Sequence, residues 1–121
     1  MRLHFNLTQP LRPKVTEEDW GSTEWLVDDS LVSGVGMSVG ILTILKGKKS
    51  PPHAHSNCHE LIYLVEGKVE ITMDKERIIL NAGDSVLCPA GTSHGFRSMD
   101  DVNAKMVISY SAGKRKYETT S

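Results

Sequence analysis

Three of the chain's five histidines and a carboxylate fall within the eight residues HAHSNCHE, from His53 to Glu60. Imidazole and carboxylate are the side chains that borderline divalent transition ions take as ligands. In an extended chain, residues two apart share a face, so His53 and His55 point the same way, as two ligands of one ion must. The SNC between His55 and His59 can reset that phase. Either His59 or Glu60 then points inward at the start of the apolar run LIYLVEG, and spacing alone leaves both open. Pro51 and Pro52 stiffen the approach to His53 and reduce the freedom lost when ligands are ordered. A fourth candidate lies in GDSVLCPAGTSHGF, where Gly83, Pro89 and Gly91 mark tight turns that lead to His94. A single histidine is usually a packed or solvated one. Four candidate ligands in two clusters point to a metal site.

The elements that must position these residues read as strands. KVEITM sets Val69, Ile71 and Met73 against Lys68, Glu70 and Thr72, and SVGILTILK is rich in β-branched residues and stops at Gly47. DKER makes a short connection into IIL, NAGD breaks that run before SVLCP, and VNAKMVISY puts Val102, Ala104, Met106, Ile108 and Tyr110 on one parity. RLHFNLT near the start alternates as well, with Leu3, Phe5 and Leu7 on one face. The only candidate helical turn is PKVTEEDWGSTEW, where Thr16 could cap Glu17 to Asp19 before Gly21 ends it. The pattern predicts eight to ten short strands in one all-β sandwich or barrel.

With 121 residues the chain is one domain, and fourteen basic against fifteen acidic side chains give no global field toward nucleic acid or an anionic membrane. The N-terminus lacks the apolar run and cleavage site of a secretory signal, and no stretch is long and apolar enough to span a bilayer, so a cytoplasmic protein is expected. Two cysteines, Cys58 and Cys88, are too few for a disulfide framework and are expected as packed thiols. Trp20, Trp25 and Tyr63 read as core or interface aromatics. The divisions expected are a strand arm and connection at 1–30, the barrel at 31–112, and a polar tail at 113–121 whose basic cluster GKRK reads as solvated.

The two clusters together resemble the small single-domain cupins of the RmlC-like superfamily. The first cupin motif is matched by Gly47, His53, His55, Glu60 and Gly67, and the second by Gly83, Pro89, Gly91 and His94, with fifteen residues between them. Ser98 stands where the second motif has asparagine. The resemblance covers Gly47 to Ser98 and implies a double-stranded β-helix, the jelly-roll barrel of two facing sheets. It also implies His53, His55, Glu60 and His94 as the ligands of one divalent transition ion per chain, Fe, Mn, Ni, Co, Cu or Zn. His59 then becomes the outward neighbour, with a surface or subunit-contact role. If the ion is octahedral, four protein ligands leave two positions for water, dioxygen or a chelating substrate.

From His94 the strand parity carries Phe96 and Ser98 inward and Arg97 outward, and Met106 lies on the inward face of the last strand. Phe96 and Met106 are therefore candidate substrate contacts. The shortage of inward Arg or Lys argues against a sugar phosphate and favours a small neutral or carboxylated molecule. The function expected is that of a metal-dependent oxidoreductase (a dioxygenase), isomerase or lyase acting on a small oxygenated compound, the alternative being a non-catalytic small-molecule-binding module. Apolar residues on both parities of ILTIL and ELIYLV predict a sheet covered on both faces and hence a homodimer.

Overall fold

A computed structural model describes residues 9–120. The strand expected over RLHFNLT lies outside the described residues. Among the described residues eleven strands follow in order: β1 (Lys14–Glu18), β2 (Gly21–Val27), β3 (Ser38–Ile44), β4 (His53–Ala54), β5 (Glu60–Glu66), β6 (Lys68–Met73), β7 (Glu76–Asn81), β8 (Ser85–Cys88), β9 (His94–Ser98), β10 (Ala104–Tyr110) and β11 (Glu118–Thr119). They form two antiparallel sheets in the orders β1-β2-β3-β10-β5-β8 and β11-β4-β9-β6-β7. This is the all-β jelly roll that the resemblance implied. The count exceeds the eight to ten expected because β4 and β11 are two-residue pieces too short to show any period.

Alternation drives the assembly. β3 buries Ser38, Gly40, Leu42 and Ile44, and β5 buries Glu60, Ile62 and Leu64, while the residues between them face outward. With β10's Ala104, Met106 and Ile108 and the opposing Val69, Ile71, Leu80 and Phe96, these make one core between the sheets. Each fully buried aliphatic side chain there contributes about 1.5–3 kcal/mol. Gly40 is required by close approach, because a Cβ at that position would meet the Trp25 ring at 2.9 Å.

The helical turn expected from Thr16 does not form. Lys14–Glu18 is instead an exposed edge strand, pairing Thr16 with Thr23 and Glu17 with Ser22. A lone helical turn needs an apolar face to bury, and KVTEE has none. Charged side chains suit an edge strand whose outer side meets solvent.

Candidate metal centre

Both motif clusters reach both sheets. His53 opens β4 and pairs with His94 at the start of β9, while Glu60 opens β5 and pairs with Cys88 and Tyr110. His55 lies in the loop between β4 and β5. That loop is fastened to the second motif twice: the Gly91 N–H donates to the His55 carbonyl at 2.9 Å, and the Ala90 N–H donates to His59 Nδ1 at 3.0 Å. Gly91 holds a φ of +82°, a backbone region in which L side chains are strained. His59 thus ties the two loops together, and its neighbour Glu60 is the one that enters the interior.

One nitrogen or oxygen from each of His53, His55, Glu60 and His94 lies within 4.8 Å of the others, so the cluster could hold one metal ion. Glu60 Oε1 is 2.9 Å from His94 Nε2 and 3.7 Å from His55 Nε2. Yet His55 Nε2, His94 Nε2 and both Glu60 oxygens are buried without a well-aligned hydrogen-bond partner. Four converging orphans are costly in a folded protein, and a divalent cation satisfies all of them at once. The opposite ring nitrogens are engaged. His53 Nδ1 donates to the Pro51 carbonyl at 3.2 Å, His55 Nδ1 to that of Lys116 at 2.7 Å, and His94 Nδ1 to that of Thr92 at 3.0 Å, with Cys88 Sγ at 3.2 Å beside it. A neutral imidazole that donates through Nδ1 presents a free lone pair at Nε2, so these three carbonyls set the tautomer a metal requires.

The titration behaviour follows from the same contacts. Burial, reinforced by the neighbouring imidazoles, lowers the His53 pKa to about 4, and burial lowers that of His55 too. Burial would lower His94 as well, but the Cys88 thiol and the Glu60 carboxylate overcome it and raise the pKa to about 10. Burial and the adjacent Glu60 carboxylate push the Tyr110 phenol well above its usual range.

The segment expected as a solvated tail lies against the centre. Asn57 donates through Nδ2 to the Lys114 carbonyl at 2.8 Å and accepts from the Lys116 N–H at 2.9 Å, which presents the Lys116 carbonyl to His55. Tyr117 stacks on the His53 ring with centroids 4.7 Å apart, and β11 pairs with β4 through Thr119 and His53. A cavity of about 190 Å³ opens beside the histidines, walled by Trp20, Trp25, Phe96, Tyr110 and Tyr117, with Arg115 at its side. Phe96 lines it. Met106 is fully buried in the core instead, and Leu42 and Ile108 meet the cavity. Tyr110 is the residue of β10 that pairs with Glu60, and Met106 lies four residues back, about 13 Å along the strand. Arg115, Tyr117 and the Lys116 carbonyl escaped sequence reasoning. The signal available was an aromatic, Tyr117, two residues from Arg115 and from Thr119 in an otherwise polar stretch.

A family model described as Cupin domain matches residues 40–110. Among curated proteins, the chain is 46% identical over 52 residues to quercetin 2,3-dioxygenase of Bacillus subtilis, covering 43% of this chain and 15% of that protein. It is 29% identical over 88 residues to polyketide synthase CurC of Streptomyces cyaneus, covering 73% of this chain and 57% of that protein. The chain therefore spans well under two thirds of either relative. Among solved structures, an S161A mutant of the Bacillus subtilis oxalate decarboxylase superposes with a TM-score of 0.79 at 18% identity, over 88% of this chain and 29% of that one. That likeness establishes the fold.

Proposed function

Because the chain belongs to the cupin domain family, we propose that it is a mononuclear metal-dependent enzyme, a dioxygenase, isomerase or lyase, acting on a small oxygenated compound. The observation that carries this is the convergence of four buried, unpartnered polar atoms from three of the motif residues, with His53 beside them. The similarity to a quercetin dioxygenase over the motif region supports it. We take His53, His55, Glu60 and His94 as the ligands and one Fe, Mn, Ni, Co, Cu or Zn ion as the cofactor. A bound ion would supply Lewis-acid activation of a coordinated oxygen and, if redox-active, electron transfer.

The chain's own residues contribute the rest. The Pro51, Lys116 and Thr92 carbonyls hold the imidazole rings in the tautomer that leaves each Nε2 free. Glu60, the anionic member, offsets part of the ion's charge, so Glu60→Gln weakens binding and, with metal restored, leaves the ion a stronger Lewis acid. The aromatic walls hold the substrate flat and keep water from the histidines. Desalted protein reconstituted in turn with the six ions and analysed for metal tests the centre, and retention of none of them overturns it. Turnover of small diketones, keto acids and phenols in air but not under nitrogen identifies a dioxygenase; turnover in both identifies an isomerase or lyase. A compound bound tightly and converted in neither makes the chain a binding module.

We also propose a homodimer acting in the cytoplasm. The outer face of the six-stranded sheet carries Leu61, Tyr63, Val65 and Leu87, each 43–55% exposed, with Leu61 paired to Leu87 and Tyr63 to Val107 across strands. Such a patch favours a partner copy over water. Light scattering that gives the monomer mass at micromolar concentration overturns the dimer. The described residues include no helix long and apolar enough to cross a membrane.

A further inference from the structure

We propose that Arg115 selects what enters the metal pocket: a flat, conjugated compound whose carboxylate or enolate reaches the guanidinium while its other oxygens face the histidines. This rests on the metal-centred function above and names its substrate class. The Arg115 guanidinium lies 3.6 Å over the Trp25 ring and 5.4 Å from the centre of the Tyr110 ring, which is itself 5.0 Å from the His55 ring. One aromatic ring thus separates the cation from the metal-binding residues. Arg115 Nη1 donates to Ser38 Oγ at 2.7 Å and Nη2 sits 3.5 Å from Asp28 Oδ2, which fixes the fork against the wall. A guanidinium has five N–H donors, so these two contacts do not exhaust it.

The local charge is unbalanced. Asp28 faces two cations, Lys14 at 3.2 Å as well as Arg115 at 3.5 Å, so one carboxylate cannot neutralise both. Among the described residues lining this cavity, no lysine, second arginine or carboxylate accompanies Arg115. An excess positive charge between aromatic walls attracts an anion more strongly than the same charge in water. The walls of Trp20, Trp25, Phe96, Tyr110 and Tyr117 favour a planar ligand. At about 190 Å³ the cavity falls below the roughly 300–1,000 Å³ of drug-sized sites, which limits the ligand to about one ring and its substituents.

The test compares protocatechuate with its uncharged amide, protocatechuamide, on the zinc-loaded full chain under nitrogen, by calorimetry or tryptophan fluorescence. Both present the same vicinal hydroxyls to the metal, so their difference reads the distal group. The wild type should bind the acid about tenfold more tightly, and Arg115→Gln should bring the two within about threefold at unchanged zinc content, with Arg115→Lys in between. A wild-type ratio near one, no binding of either probe, or a ratio that survives Arg115→Gln overturns the proposal. The wild-type ratio decides even if Arg115→Gln fails to fold. Zinc content, measured in parallel, reports separately on the metal centre. A wild type that retains no zinc sinks that function, while the acid preference is still read on the metal-free chain.

Discussion

The two motif loops and the C-terminal segment meet at the same cluster of histidines but build it by different means. The loops bring side chains: His53, Glu60 and His94 project from strand starts and His55 from the loop between β4 and β5, and the glycine and proline turns around them aim them. The segment from Lys114 to Thr119 brings mostly backbone and ring faces, a carbonyl to His55 and the Tyr117 ring to His53. A side chain chosen for metal chemistry leaves a mark in the sequence. A carbonyl leaves none, since every residue has one.

The largest effect should come from breaking the loop side of this comparison. His55→Ala removes one of the four proposed ligands and one of the orphaned buried atoms, so metal bound after desalting should fall from about one ion per chain to nearly none while the β-sheet circular dichroism persists. Removing Lys114–Ser121 breaks the tail side. It leaves all four proposed ligand side chains but takes away the His55 acceptor and the ring on His53, and should weaken metal affinity about 10–100-fold, read by chelator competition. Unchanged affinity after truncation would mean that the tail only covers the site.

Protonation sharpens the same contrast. His53 and His55, both with lowered pKa, are neutral near pH 7 and ready to bind an ion. His94, its pKa raised to about 10, carries a proton near pH 7 that an entering ion must displace. Metal loading at pH 7 should therefore release about one proton per chain, and affinity should rise with pH over the range below the His94 pKa. Proton release measured in weakly buffered solution checks this, and loading without release contradicts it.

What could be read from the sequence divides along the same line. The strands over Lys68–Met73 and Ser85–Cys88, the inward parity of His94, Phe96 and Ser98, and the assembly of four candidate ligands follow from alternation and turn residues. Lys14–Glu18 misled because its Thr and acidic residues satisfy a helix start equally well, and only pairing with β2 decides for a strand. Arg115 misled because a basic run near a chain end has the composition of a solvated one. Its burial depends on Trp25 and Asp28, some ninety residues earlier, and no local pattern carries that information.

A smaller effect should follow from Asn57→Ala, which deletes that residue's two hydrogen bonds to the segment and leaves every proposed ligand side chain in place. Each such bond contributes about 0.5–1.5 kcal/mol, so the protein should lose a few degrees in Tm and metal affinity should drop several-fold, less than on truncation. A loss equal to truncation would show that Asn57 alone presents the Lys116 carbonyl.

The smallest effect concerns the distant anchor of that segment. Asp28 accepts from the Ser30 N–H and hydroxyl and from the Leu31 N–H, and it faces Lys14 and Arg115. Burial would raise its pKa, but the Ser30 hydrogen bond and Lys14 outweigh burial and lower it from 3.8 to about 2. A depressed carboxylate pKa contributes stability that is fully present above the unfolded value and is lost as pH falls through the folded one. Between pH 4 and pH 2 the wild type should accordingly lose stability that Asp28→Asn lacks from the start, so their Tm values should converge across that window. Hydrogen exchange at the Lys116 amide locates the effect. Faster exchange in Asp28→Asn at neutral pH means that the Arg115–Asp28 contact helps hold the tail on the metal centre, and unchanged exchange means that the other contacts of the segment hold it without Asp28.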